Sequence, residues 1–363
     1  MNKFLILFLL SFAFQACGQV TKKALLEKPG VDKRVELLSI VFRLAERPEY
    51  SSNEFKLYSD RIERYFEAYK NHELIQFAKK IINEKDISYD GAMWMATHLD
   101  DDLNLLTDVN DIWQQDPRWT KENVEKFVPL LQKFNNDTKF NQFFENNADL
   151  YAETTKRFDL IFVQVDLDWC FAFFGKEPTG TFIIKIGLNN GTSCYGTNVD
   201  YINGNREVYA IMGVGSVYNA GLPEFSKLYD LPVLIHEFSH PFVDHLTKKY
   251  SDMFLESGEK MFSVAKDVIN IEAYPTWEVV LDEVLVFAST IKYMKDNDFE
   301  QWMIDGWIRW LKVEFGFFWI EELVGELESY DNQRINYPTL ESYMPKLSMA
   351  YKIWAERIVN NPQ

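Results

Sequence analysis

Positive charge and histidine are both in short supply in this chain. Across 363 residues, 38 lysines and arginines face 55 aspartates and glutamates, a formal net charge of −17. That balance argues against nucleic acid as a partner and against electrostatic docking on anionic lipid. Cysteine is almost missing, with Cys17, Cys170 and Cys194 alone. None lies in a C-x-x-C pair, so neither a thiolate zinc site nor a dithiol redox motif is indicated. Cys170 and Cys194 remain either one disulfide or two buried thiols. A membrane-spanning helix needs about 20 apolar residues, and the run Phe4–Phe14 has eleven. Gly213-Val214-Gly215 lacks the third glycine and the strand-to-helix setting of a dinucleotide fingerprint. Asp100-Asp101-Asp102 has no EF-hand spacing around it and reads as a solvated loop. His72 and His98 stand isolated.

What is present begins with a targeting segment. Asn2-Lys3 is a short positive start, followed by the apolar run and then Phe14-Gln15-Ala16-Cys17-Gly18. A small residue before a cysteine at this place resembles the lipobox of bacterial lipoproteins, in which the cysteine becomes the lipidated N-terminus. The reading is a signal peptide over 1–17, lipidation at Cys17, and an exported chain held to a membrane through that anchor only. Residues 18–30 read as a tether.

Beyond the tether the apolar period changes once. Residues 31–157 carry apolar positions at three- and four-residue steps, as in Val35, Leu38, Val41 and Phe42, and read as a mainly α-helical N-terminal region. From 158 to 214 four stretches are rich in β-branched and aromatic residues: 158–174, 181–188, 199–202 and 207–214. Asp166 and Asp168 would then alternate on one strand face. Asn203-Gly204 is a hairpin-turn signal between the last two stretches. Helical segments are expected again at about 258–270, 276–295, 298–313 and 340–359. The fold class is α+β: an α-helical region, then a small mixed sheet, then a helical part that with the sheet makes up residues 158–363. Aromatic residues reach 16%, enough to expect aromatic packing throughout the core.

One stretch concentrates chemistry, His236-Glu237-Phe238-Ser239-His240, directly after an apolar run from Leu231. On a helix the two histidines share a face and can aim at one metal ion, and Glu237 sits beside them. A catalytic zinc needs a third protein ligand. Positions 243 and 246 are valine and leucine, and His245 lies well round the helix from His240, so it reads as a surface residue. On the later helical stretch, Asp282 shares a stripe with Glu278, Ser289 and Lys292 that reads as solvated. Glu283 instead lies among Val279, Val280, Val286 and Phe287. A carboxylate in an apolar face is costly unless a positive partner meets it, which selects Glu283. Pro241 removes the helical bond to the Glu237 carbonyl, so a bend is expected beside the second histidine.

His236-Glu237-x-x-His240 with Glu283 in Asp282-Glu283-Val284-Leu285-Val286-Phe287-Ala288 resembles the gluzincin type of zinc metallopeptidase. Arg34-Val35-Glu36-Leu37-Leu38-Ser39-Ile40-Val41-Phe42-Arg43-Leu44-Ala45, together with the H-E-F-S-H stretch, is similar to a family of exported bacterial proteins known only as a domain of unknown function. The gluzincin resemblance implies a zincin-like metal-binding part, Zn2+ on His236, His240 and Glu283, and Glu237 as general base in hydrolysis of a peptide or protein substrate. It also implies a phenol or imidazole as oxyanion helper, for which Tyr293 on the Glu283 helix is a candidate. Phe287 departs from the basic residue expected at its position. An exposed strand before the catalytic helix would hold an extended peptide, with Tyr195-Gly196 and 207–214 as candidates. The alternatives are a zinc hydrolase of a non-peptide amide and a non-catalytic binding lipoprotein on the same scaffold.

Overall fold

The computed structural model describes residues 24–360 apart from 86, 88, 111, 178, 219, 220 and 272. The signal segment, Cys17 and the first part of the tether lie outside the described residues. The architecture is α+β, with fourteen α-helices around one small mixed sheet among the described residues. The N-terminal helices are α1 (Lys33–Leu44), α2 (Lys56–Phe66), α3 (Glu73–Lys85), α4 (Asp90–Thr97), α5 (Ile112–Gln115), α6 (Lys121–Asp137), α7 (Phe140–Glu145), α8 (Ala148–Phe162) and α9 (Leu167–Phe174). After the sheet come α10 (Asp230–Ala265), α11 (Trp277–Asp296), α12 (Gln301–Glu314), α13 (Ile320–Asp331) and α14 (Leu340–Asn360).

The sheet is built from β1 (Leu25–Leu26), β2 (Gly30–Val31), β3 (Thr181–Gly187), β4 (Tyr195–Asp200) and β5 (Arg206–Gly213). β3 is central: β1 and β2 pair with it in parallel on one side and β5 in parallel on the other. β4 then pairs antiparallel to β5. Part of the expected tether is therefore sheet structure, with Leu26 and the following Val31 packed against the core. The turn at Asn203-Gly204 forms as read, with Gly204 at φ +83° and Asp200 opposite Arg206.

Residues 158–174 are not a strand. They finish α8 and form α9, and buried Leu167, Cys170, Phe171 and Phe174 fall at helical steps. Aromatic content suggested a sheet there, but spacing decides, since these side chains share one helix face. Asp166 is the N-cap of α9, accepting from the Trp169 amide at 3.1 Å, and Asp168 lies in the first turn. Gly175 at φ +69° ends the helix. α13 was not anticipated, and the helix expected at 258–270 is the tail of α10. The boundary drawn at 157/158 falls inside α8, and one contiguous core joins α1, the sheet and the C-terminal helices.

Both thiols are free. Cys170 is buried and Cys194 half-buried. Among the described residues no helix is long and apolar enough to cross a membrane.

Glu36 on α1 is fully buried. Its carboxyl accepts from the Leu188 amide at 2.7 Å and from the Tyr58 hydroxyl at 2.6 Å, and the Tyr151 hydroxyl stands 2.9 Å from that of Tyr58. Burial pushes the Glu36 carboxyl up to about 7, against the two hydrogen bonds. A raised carboxyl stabilises the fold most below its unfolded value, and that contribution is lost as pH rises through about 7. The full difference is of order 3 kcal/mol. Glu36→Gln removes this titration, so its stability in urea unfolding should fall less between pH 5 and pH 8 than the parent's, by up to about 3 kcal/mol. An equal decline in both would refute the assignment.

Candidate metal centre

α10 carries the H-E-x-x-H stretch in its second and third turns, pressed against α11 on one side and against β4 and β5 on another. Apolar Leu231, Leu234, Ile235 and Phe238 bury one face. That burial fixes the helix rotation and brings His236 and His240 to the side that meets α11. The chain remains one helix through Pro241. The Glu237 carbonyl, deprived of its helical donor by Pro241, faces Gly196 of β4. A Cβ at residue 196 would lie 2.9 Å from that carbonyl oxygen and 3.1 Å from the Glu237 carboxylate. The glycine makes room for the backbone that the proline leaves unbonded.

The side chains converge. His236 Nε2 and His240 Nε2 stand 3.3 Å apart. Glu283 Oε1 is 3.4 Å from His236 Nε2, and Oε2 is 3.9 Å from His240 Nε2. His240 Nδ1 meets Asp244 Oδ1 at 3.1 Å, one turn further along α10. The Tyr274 hydroxyl donates to Glu283 Oε1 at 3.2 Å. Gly196 lies against the Glu237 carboxylate, and its backbone amide helps to lower that carboxyl; the Phe287 ring covers His236 at 4.2 Å between centroids.

The charges follow from this crowding. Burial raises the Glu237 carboxyl, and the two imidazoles reduce the rise. Burial acts the same way on Glu283, but His236, His240 and the Tyr274 bond outweigh it and hold the carboxyl low. For His240 burial favours the neutral ring, yet Asp244, Glu283 and Glu237 lift it to about 10. The cluster as a whole thus favours added positive charge. His236, Glu237 and His240 form a buried group that could hold a metal ion, their ligand atoms within 4.8 Å of one another. His236 Nδ1 is buried without a hydrogen-bond partner, so this ring lacks the outer hydrogen bond that Asp244 gives His240.

Two site expectations need correction. Tyr293 is absent from the site: its fully buried hydroxyl lies 3.3 Å from the Asp166 amide and 3.4 Å from the Gln164 carbonyl, among Trp169 and Phe299. Ten residues separate it from Glu283, about 15 Å along a helix. Asp282 is not on a solvated face either. The Thr247 hydroxyl of α10 donates to it, Ser289 and Lys292 of the same stripe are buried, and burial with Asp244 nearby pushes Asp282 up to about 7. α11 is enclosed by α10 on one side and α12 and α13 on another, so little of its circumference is left to solvent. His245 is exposed, as read. His98 is buried against Trp94 and Gln115, and His72 pairs with Asp137, both outside the site.

The sequence reading passed over Tyr274. It sits in the segment before Thr276, the N-cap of α11, and its closeness to that cap was the available signal.

Residues 29–350 match the family described as Domain of unknown function (DUF4932). The chain belongs to this family. No curated protein and no solved structure matched it.

The Asp244 contact with His240 can be tested through metal binding. Carboxylates that fix a ligating imidazole typically change metal affinity 10- to 100-fold when removed. Asp244→Asn should weaken binding of added Zn2+ by roughly that factor in competition with a chromogenic chelator. An unchanged affinity would show that the contact does not orient His240 for a metal.

Proposed function

We propose that this chain is an exported, lipid-anchored zinc-dependent hydrolase whose substrate is a peptide or protein. The observation that carries the metal part is the mutual spacing of three donors. Four ligands at zinc's usual bond lengths stand roughly 3.3 Å from one another. The His236–His240 and His236–Glu283 separations are 3.3 and 3.4 Å, and the His240–Glu283 separation is 3.9 Å. Glu283 is assigned as the third ligand over Glu237 because it makes these short contacts and is anchored by Tyr274. Glu237 is turned to the Gly196 amide and stays available for proton transfer.

When bound, zinc supplies water acidification and polarisation of the scissile carbonyl. The chain's own residues supply the rest. Glu237 takes the proton from the attacking water and passes it to the leaving amine. Burial, which makes its carboxylate more basic, suits that work. The Gly196 amide keeps the Glu237 side chain facing the donors. Tyr274 holds Glu283, and Asp244 holds His240.

Peptide as substrate is supported by the sheet. β5 lies between β3 and β4 and has no open edge, which removes 207–214 as a docking strand. β4 is an edge strand. The Asn110 amide closes its far end on the Asp200 carbonyl at 2.7 Å, whereas Gly196 faces Glu237. An extended chain pairing beside Gly196 would lie across the donors.

Three variants test the reading in the purified chain, with zinc measured by elemental analysis and cleavage with fluorescein-labelled casein. Glu283→Ala should lose zinc. Glu237→Gln should keep it and lose about 10²- to 10⁴-fold in rate. Gly196→Ala, whose methyl meets Glu237, should keep zinc and lose roughly 100-fold. A parent chain without stoichiometric zinc sinks the proposal. Zinc with cleavage of small amides but not casein supports the non-peptide alternative, and zinc with neither supports a binding lipoprotein. Export and anchoring through Cys17 are tested by Cys17→Ser, which should leave the membrane fraction.

A further inference from the structure

The β3–β4 loop, which ends at the candidate site, is held by side chains that come from the other end of the chain. Its first residue, Leu188, gives its amide to buried Glu36 of α1 at 2.7 Å. Its second, Asn189, is 3% exposed and bonds in three directions. The amide of Asn189 donates to the Ser39 carbonyl at 3.1 Å and the Tyr50 carbonyl at 3.0 Å, and its oxygen accepts from Arg43 Nη1 at 3.3 Å. The same Arg43 fork reaches the Ser52 carbonyl at 2.8 Å, Asn53 at 2.6 Å and Glu63 at 2.9 Å.

The rest of the loop is walled in. Gly191, at φ +58°, has Ser52 so close that a Cβ would come within 2.6 Å of it. On the other side, a Cβ at Gly213 would lie 2.3 Å from the Gly191 carbonyl and 2.5 Å from that of Ser193. Tyr195 follows, its ring stacked on Tyr50 at 6.1 Å. The next residue is Gly196, whose amide meets Glu237.

We propose that Glu36, Arg43 and Asn189 are positioning residues, a clamp that fixes the β3–β4 loop and so seats the Gly196 amide on Glu237. A surface loop can satisfy its backbone with water. This one instead uses a buried carboxyl and a buried guanidinium, groups that are costly to bury unless fully engaged. Three polar groups of the Arg34–Ala45 stretch, the Glu36 and Arg43 side chains and the Ser39 carbonyl, are used on Leu188 and Asn189. The path from clamp to site is eight residues of chain, Leu188 to Tyr195, packed on both sides, so displacement at its start is carried to Gly196. The catalytic consequence rests on the zinc-hydrolase reading; the structural one does not.

The test compares the parent full chain with Glu36→Ala, Glu36→Gln, Asn189→Ala and Arg43→Lys. Amide hydrogen exchange of peptides covering 188–198 reads the loop. Zinc content and the kcat and KM for labelled casein read the site. Glu36→Ala and Asn189→Ala should speed exchange in 188–198 by roughly tenfold or more. They should retain zinc and lower kcat about 10- to 100-fold with KM within about twofold. Glu36→Gln should restore both readings, since its carbonyl can accept from Leu188 and its amide can donate to Tyr58. Arg43→Lys keeps the charge without the fork and should behave like Asn189→Ala, which covers the case in which Glu36→Ala does not fold. Unchanged exchange in 188–198 for Asn189→Ala, or a Glu36→Gln no better than Glu36→Ala, overturns the clamp. A parent chain lacking zinc or hydrolysis overturns the zinc-hydrolase reading instead, and exchange alone then decides the clamp.

Discussion

The packing of α10 on α11 is the constraint from which the site follows. Each helix buries an apolar face in the common core, and each has polar groups on the seam where the two meet. His236, His240 and Asp244 come from α10, and Asp282 and Glu283 from α11. Two imidazoles in that space cannot offset three nearby carboxylates and a fourth in Glu237 unless protons or a cation join them. His240, lifted to about 10, and Asp282, lifted to about 7, show the seam drawing protons toward itself. A divalent ion at the Nε2 atoms would meet the same need without protonating a ligand, which is the electrostatic reason that the pattern reads as a metal centre rather than a polar seam.

Pro241 and Gly196 are a matched pair across two elements. A proline inside a helix removes one backbone donor, and the freed carbonyl must point somewhere. Here it belongs to Glu237 and faces the edge strand, where any side chain would collide with it. The absence of a Cβ at residue 196 lets β4 approach closely enough for its amide to reach the Glu237 carboxylate. The helix therefore continues through the proline. Sequence reasoning could see the lost hydrogen bond but not the neighbour that accommodates it, because that neighbour is 45 residues earlier in the chain.

What was legible in the sequence was local. H-E-x-x-H placed two imidazoles on one face, and the apolar flanks of Glu283 distinguished it from Asp282, because both arguments use only the period of a helix. The same period mishandled Asp282 itself: one-sided burial was assumed, whereas α11 is covered by helices on more than one side. Aromatic composition suggested a strand at 158–174 although the buried positions already lay at helical steps. Tyr293 was proposed for sharing a helix with Glu283, but ten residues of rise carry it far from the donors. Tyr274, in an irregular segment, reaches them because the chain turns back before the Thr276 cap.

The N-terminal helices make sense only when joined to the site. The family match runs from 29 to 350, spanning α1, the sheet and both metal-centre helices. Buried Glu36 and Arg43 are engaged within the N-terminal helices by Tyr58, Ser52, Asn53 and Glu63, and each also reaches the β3–β4 loop. Their partners explain the cost: the Leu188 amide and the Asn189 side chain belong to a loop that has no helix or sheet ladder of its own to satisfy it. Helix α1 thus supplies the hydrogen bonds, and the strand that follows the loop delivers a glycine to Glu237. Read in this direction, Arg34–Ala45 is part of the same device as H-E-F-S-H, separated in sequence because one segment holds the wall and the other carries the donors.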